Sequence, residues 1–509
     1  MNKNEQISKK IYNLDDLKKI LTKKKFSLCH GVFDVLHIGH INYLNEAKKI
    51  GGTLVVSVTD DKFVNKGPGR PYFKIKDRIE MISNLSCVDY VLINKDKTAI
   101  NLIKILKPSF YVKGPDYKIN KNDVTKNIYK ENREVKKYNG KVHYTNTELF
   151  SSTDLLKNFF EDKSENVKKF FSNIKSKTNY DNLSRELDKL KDLTILIVGD
   201  SIIDEYIFAN PLNKSAKDTI LNFQILNTEK YIGGVLSVAN NVSNFCKKVI
   251  LITSLSKETK IVNFIKKKLN KNIDLFYTKE SSSKIIRKIR LIDKSSDQKQ
   301  IGMHKYSDEN FNFQEQKKLI DVIKKKIKLV NGVIVSDFGH GVVSKNILTL
   351  IKKYKKISIA ANSQINSTNI GYHSLSNFKN IDYLTMNYFE LQHETRSFNE
   401  DIKKLAKNLA SKLNLKKIYV TNGAKGSLLY NKKINKYSLA PGIKFNVVDR
   451  TGSGDTYFAL AALSSFLKIK DEESIFLSTI SAYFNLQSFA NKKQTDLNDF
   501  KKSIFYILK

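Results

Sequence analysis

Cysteine is scarce in this chain: the three present, Cys29, Cys87 and Cys246, are an odd number and form no CxxC pair. That argues against a disulfide framework and against a thiolate zinc site, and it fits a reducing compartment. Long apolar runs are missing as well. No stretch approaches the roughly 18 residues needed to span a bilayer, and the opening MNKNEQISKKIYNLDDL lacks the apolar core of a secretory leader. The expectation is a cytoplasmic protein without membrane insertion. Arginine is the third shortage, with eight among 89 basic residues. A net charge of +38 would suit a nucleic-acid binder that neutralises phosphates. Arginine is the better reader of base edges, however, and the lysines run along the whole chain among many Asn and Ile instead of forming one basic block. The charge therefore reads as solvated faces that attract anionic metabolites, with no specific nucleic acid as partner.

What the chain does have is apolar material for several cores. Its 509 residues, 41% hydrophobic and 28% charged, predict a globular protein of two or three domains. Over residues 25–60 an apolar run, a turn, a helical stretch and a second apolar run make one βαβ unit, and apolar runs at 90–93 and 110–113 continue the alternation of a parallel sheet. This first domain is expected over residues 14–160. Residues 161–192 are charged and helix-prone, a Lys-rich helical linker. A second α/β domain is expected over 193–509, with strand-like runs at 249–253, 333–337, 357–361, 381–384 and 418–421.

Chemistry first gathers at His37-Ile38-Gly39-His40, which follows a strand and a turn and opens a helix in GVFDVLHIGHINYLNEAKK. Two imidazoles three residues apart share a helix face, beside backbone N–H groups that favour an anion. Imidazoles can donate to phosphate oxygens as charge builds in a transition state, and Gly39 lets a nucleotide approach the backbone. An isolated HxxH is more often a packing or capping pair, so the surroundings decide. GVFDVLHIGH resembles the HxGH signature of the nucleotidylyltransferase superfamily, and GRPYFKIKDRIEMI, VDYVLI, PSFYVKGPDYK and LFSSTD are similar to that family's later segments. The resemblance implies a Rossmann-like domain that joins a nucleoside triphosphate, ATP or CTP, to a phosphorylated alcohol or sugar and releases pyrophosphate. It implies His37 and His40 as transition-state phosphate binders and Asp34 and Gly39 as loop-shaping residues. Lys113, Asp116, Ser152 and Thr153 would belong to the nucleotide site, with Arg78 as a further candidate.

The second gathering is Asp449-Arg450-Thr451-Gly452-Ser453-Gly454-Asp455, which runs into the small-residue stretch TYFALAALSSFL. Gly452 and Gly454 permit a tight turn whose N–H groups can cradle developing phosphate charge, and Asp455 is placed to take a proton from an attacking hydroxyl. An ordinary Gly-Ser turn with an acid on the helix dipole is the bland alternative. DRTGSGD resembles the DTxGAGD signature of the ribokinase-like (PfkB) sugar kinases, and three further segments are similar to that family's motifs in family order. Asn387-Tyr388-Phe389-Glu390 is similar to the NxxE motif that organises Mg2+ and phosphate, Glu390 indirectly. Thr421, Gly423 and Gly426 sit in a TxGxxG nucleotide turn, and Gly233-Gly234 falls where the sugar site carries its glycine pair. The resemblance implies an α/β ribokinase-like domain that uses ATP with Mg2+. Asp455 would be its base, and Asp200, Asp204, Gly233, Gly234 and Asp337 would face the sugar. Such folds often dimerise through a lid, so a homodimer through this domain is expected.

The two halves together resemble the bifunctional enzymes that make ADP-heptose, acting on sugar phosphates for surface polysaccharide. Three departures leave the sugar open. The transferase precedes the kinase, opposite to the usual order; Ser237 stands where that family carries Asn; and His340 stands where it carries Lys. His340 reads equally as a phosphate ligand and as a satisfied loop histidine. A cytidylyltransferase acting on a polyol phosphate, and a kinase half that only binds, are the alternatives.

Overall fold

The computed structural model describes the chain apart from residues 1–9, 65–69, 115–126, 146–164, 215–219, 280–284, 307–312, 366–368, 371–372, 444–448, 487–495 and 509. The chain divides into two compact units, Met1–Ser164 with Asn498–Lys509, and Glu165–Leu497.

In the first unit, short β-branched runs separated by amphipathic segments bury both faces, as a parallel sheet requires. Strands β1 (Ser27–Gly31), β2 (Leu54–Thr59), β3 (Tyr90–Asn94), β4 (Phe110–Lys113) and β5 (Lys141–Tyr144) pair in parallel in the order β3-β2-β1-β4-β5. Neighbouring residues serve opposite sides: Leu28, Val55 and Tyr111 pack with Leu17, Leu102 and Ile103, whereas Cys29, Val56 and Val112 pack with Leu44 and Ile82. The chain order reverses beside β1, and the crevice beyond its carboxyl end is where such sheets bind ligands. The last helix, Leu497–Leu508, falls in the stretch expected to belong to the second domain; from Asn498 onward it groups with this first unit.

The second unit holds two sheets. The larger is built from β6 (Thr194–Gly199), β9 (Lys248–Leu255), β10 (Ile273–Lys279), β13 (Gly332–Asp337), β14 (Ser358–Ser363), β15 (Tyr383–Asn387), β16 (Lys417–Thr421), β17 (Ser427–Asn431) and β18 (Lys436–Ala440). Its order is β10-β9-β6-β13-β14-β15-β16-β17-β18, parallel as far as β16 and antiparallel beyond. One face buries Leu196, Val198, Val333, Val335 and Leu384 under flanking helices, each such side chain contributing roughly 1.5–3 kcal/mol. Helices Ser453–Phe466 and Asp471–Leu486 are buried almost all round, because Ala and Ser let them pack closely. The segment expected as a linker holds the helices Glu165–Lys177 and Tyr180–Lys189. It groups with this unit, where Phe170 meets Phe476 at 6.2 Å between ring centres and Lys177 pairs with Glu472 at 3.0 Å.

The smaller sheet was not foreseen from the sequence. It orders β12 (Gln298–Lys305), β11 (Ile286–Asp293), β7 (Ser201–Lys214) and β8 (Leu221–Gly234), with β7 antiparallel to β8 and parallel to β11. Most of β8 and all of β12 are exposed, so these strands carry no continuous apolar run to announce them. Among the described residues, no helix is long and apolar enough to cross a membrane.

Candidate active sites

In the first unit, β1 ends in a loop that delivers His37 as the N-cap of helix Ile38–Gly51. That cap makes no side-chain hydrogen bond to the helix, and no acid sits in the first turn, so the partial positive charge of the helix start is not offset there, an arrangement that favours an anion. The two imidazoles lie together, ring centres 3.9 Å apart, and Gly39 between them is buried. Asp34 sits in the loop between β1 and this helix. It is fully buried, pairs with the Arg70 guanidinium, and accepts the Tyr72 and Phe73 N–H groups at 2.6 and 3.0 Å.

Lys113 closes β4 beside this loop, 3.3 Å from the His30 carbonyl and 3.4 Å from Glu131. Burial pulls His30 down to about 4, with Lys113 adding to it, so the imidazole is neutral at physiological pH. Although burial pushes Glu131 up, Lys113 and His30 hold its carboxyl below the usual range. Asp34, His37, Gly39, His40 and Lys113 therefore share the carboxyl edge of one sheet. Asp116, Ser152 and Thr153 lie outside the described residues. Arg78 has a different task from ligand binding. It is fully buried and donates to the carbonyls of Phe73, Val32 and Thr59 at 2.9, 2.6 and 2.9 Å and to Asp61 at 2.5 Å, which ties three loops together.

In the second unit, Gly452 takes φ +81° as the N-cap of helix Ser453–Phe466, a left-handed conformation that favours glycine, and Asp455 falls in the first turn. Burial, with Asp204 nearby, pushes Asp455 up to about 7, opposed by Lys288 and by a hydrogen bond with the Ser237 side chain. Asp204 projects from β7, where Arg290 of β11 holds it at 2.5 Å. Its carboxylate lies so close to Gly233 that any side chain there would collide with it. Gly234 caps helix Val235–Ser243 at φ +57°. Asp200 is fully buried and accepts the N–H groups of Phe338, His340 and Val342 at 2.9, 3.3 and 3.1 Å; it organises the loop after β13. Asp337, at the end of β13, accepts the Gly339 N–H at 2.9 Å and faces His373 at 3.4 Å.

The NxxE motif is a capping box: the Asn387 side chain accepts the Glu390 N–H, and Glu390 accepts the Asn387 N–H, each at 2.8 Å. Burial pushes Glu390 up to about 7, and the Asp455 charge adds to it, so the two carboxyls share one neighbourhood. Thr421 pairs in register with Asn387, and Gly423 and Gly426 turn the chain out of β16 at φ +51° and +101°. These residues line up along the carboxyl ends of β15 and β16.

Three further residues at this site were missed in the sequence because they sit on the exposed four-stranded sheet. Lys299 of β12 reaches Asp449 at 2.7 Å and the Thr451 hydroxyl at 2.9 Å, bracing the turn before Gly452. Arg290 neutralises Asp204. Lys288 of β11 is in register with Asp204 of β7 on one side and His304 of β12 on the other, and its ammonium stands 5.6 Å over the Phe338 ring. Burial holds Lys288 below its usual range, with Asp204 and Asp455 opposing. Burial, and then Lys288, pull His340 down to about 4.

Known proteins resemble both halves. Residues 28–158 match the family model described as cytidylyltransferase-like, and residues 193–490, more than half of the chain, match that of the pfkB family carbohydrate kinases. The bifunctional protein HldE of Helicobacter pylori is 41% identical over 128 residues, 25% of this chain and 28% of that protein. HldE of Campylobacter fetus is 44% identical over 118 residues, 23% of this chain and 26% of that one. Both likenesses fall on the N-terminal domain, so the alignments span about a quarter of those relatives' length. Phosphofructokinase-2 from Escherichia coli, solved in complex with potassium, shares the fold with a TM-score of 0.51 at 13% identity, over 62% of this chain and all of that one.

Because Arg78 is a buried cation that donates to Val32, Phe73, Asp61 and the end of β2, Arg78→Met is expected to destabilise the first unit by roughly 3 kcal/mol. Faster amide exchange in β1 and β2, with the second unit unchanged, is the measurement; unchanged exchange would deny Arg78 its bracing role.

Proposed function

The chain belongs to the pfkB family of carbohydrate kinases and carries a cytidylyltransferase-like domain ahead of its kinase domain, and we propose that it is a bifunctional enzyme supplying a nucleotide-activated sugar. The second unit phosphorylates a sugar or sugar phosphate, heptose-like, with ATP. The first transfers a nucleotidyl group from ATP or CTP to a sugar 1-phosphate and releases pyrophosphate. The observation that carries this reading is Asp455, a carboxyl raised to about 7 in the first turn of a helix whose N-cap is a left-handed glycine.

Asp455 takes the proton of the acceptor hydroxyl as it attacks the γ-phosphorus. A base with its pKa close to the working pH is effective in that step. The open N–H groups of Ser453 and Gly454 face the charge that develops on the transferred phosphoryl group. Asp204 and the loop organised by Asp200 and Asp337 orient the sugar. In the first unit His37, His40 and Lys113 bind the triphosphate and stabilise the charge that builds as pyrophosphate leaves, with Asp116, Ser152 and Thr153 completing the nucleotide site. Among the described residues, no three His, Cys, Asp or Glu side chains form a metal cage. Glu390 and Asp455, two neighbouring carboxyls each raised by burial, nonetheless suit a divalent cation brought in by the nucleotide. Mg2+ held there would neutralise triphosphate charge.

A phosphorylated acceptor is favoured by Lys288 and His340. Lys288 makes no ion pair among the described residues, and His340 Nε2 is buried without a hydrogen-bond partner. A half-buried cation beside an unsatisfied imidazole suits a phosphate monoester. HldE, as the likeness in the first domain, supports a heptose as the sugar and ADP-heptose for lipopolysaccharide as the product. A homodimer through the four-stranded sheet is part of the reading, supported by exposed Leu221, Ile225, Ile301 and Met303. So is a cytoplasmic setting, supported by three free cysteines.

The test is a panel of sugar 1-phosphates and polyol phosphates, heptose 1-phosphate included, with ATP or CTP and Mg2+, read as pyrophosphate release. ATP with heptose 1-phosphate is the expected pair; CTP with a polyol phosphate would move the protein to another pathway. Asp455→Asn is expected to lower sugar phosphorylation by roughly 10³-fold or more and leave nucleotidyl transfer intact, and His37→Ala to do the reverse. Either variant losing both activities while folded would sink the two-site reading. The pH dependence follows from the same base. Since Asp455 must be deprotonated to accept a proton, kcat/KM for phosphorylation is expected to rise about tenfold per pH unit up to about 7 and level off above it. A plateau reaching down to pH 5 would assign the base elsewhere.

A further inference from the structure

Neither family match reaches the last helix: they end at residues 158 and 490, and the helix runs Leu497–Leu508. Its sequence, LNDFKKSIFYIL, sets Leu497, Phe500 and Ile504 three and four residues apart, a stripe that needs an apolar partner. Phe500, Ser503 and Ile504 are fully buried, and residues Asn498–Lys509 group with the first unit.

Two relations locate the helix on that unit. Asp499 takes Lys97 at 2.7 Å, and Lys97 lies three residues past the carboxyl end of β3. One turn later, Lys502 is close enough to His30, next to last in β1, to help keep its imidazole neutral. Since β1 and β3 run parallel, both relations fall at the same edge of the sheet, the one from which His37 and His40 follow.

We propose that the helix Leu497–Leu508 is a working part of the nucleotidyltransferase-like unit, covering the carboxyl edge of its sheet between β3 and β1 and adding the Lys502 charge to the field that holds an anionic nucleotide there. The identity of that nucleotide rests on the function proposed above; the placement of the helix does not. A tail with no role would have no reason to bury Phe500 and Ile504 while setting Asp499 and Lys502 at the ligand edge, where cover excludes water and a nearby cation favours phosphate.

The experiment compares the full chain with one ended after Leu497 and with Lys502→Met. Ending the chain is expected to raise amide exchange in β1 and β3 and to cut pyrophosphate release roughly tenfold or more, while sugar phosphorylation stays within about twofold. Lys502→Met is expected to keep exchange protection and raise KM for the triphosphate roughly three- to tenfold with kcat near its original value, and Lys502→Arg to restore it. Unchanged protection and pyrophosphate release in the shortened chain would overturn the proposal, and so would loss of phosphorylation alone. If the intact chain releases no pyrophosphate with any substrate, the functional reading fails, and exchange in β1 and β3 still decides the role of the helix.

Discussion

Both units depend on one constraint, the N–H groups that the first turn of a helix leaves without a partner inside the helix. In the first unit the parallel strands all end at one edge, so the helix after β1 starts there with its partial positive charge turned toward the crevice. Helix Ile38–Gly51 has no acid in its first turn and a cap that makes no side-chain bond to it. Helix Ser453–Phe466 has a glycine cap and a single acid, Asp455. In each case the capping residue makes no side-chain hydrogen bond to its helix.

Around those helix starts, buried carboxylates do the shaping and the cations counter them. Asp34 gathers the segment at Tyr72 and Phe73 in the first unit, and Asp200 gathers the loop after β13 in the second. Each works because a buried carboxylate must find donors, and backbone N–H groups are the nearest. The four-stranded sheet brings Arg290, Lys288 and Lys299 to Asp204, Asp455 and Asp449. Lys288 offsets part of the upward push that burial and the Asp204 charge exert on Asp455, whose carboxyl stands at about 7.

Much of this was legible in the chain, and the rest was hidden for identifiable reasons. The buried strands of both parallel sheets announce themselves as β-branched runs, because both of their faces are covered. Strands β8 and β12 do not: most of β8 and all of β12 lie in solvent, so their polar residues look like loop. Arg78 stood in the sequence as a ligand candidate, and its four contacts to three loops show it to be a brace. The spacing of Asn387 and Glu390, which resembles a phosphate-site motif in the sequence, forms a capping box in the structure.

What the sequence by itself determined is the local pattern: two helix starts, the glycines beside them, and the histidines and aspartate they carry. These depend on residues close along the chain, where spacing and backbone preference are enough. Only the tertiary structure decided which distant groups meet them: Lys288 and Ser237 at Asp455, Lys299 at Asp449, and the C-terminal helix on the first unit. Those meetings depend on strand order and on which apolar stripe covers which sheet, and neither is written in any short stretch of sequence.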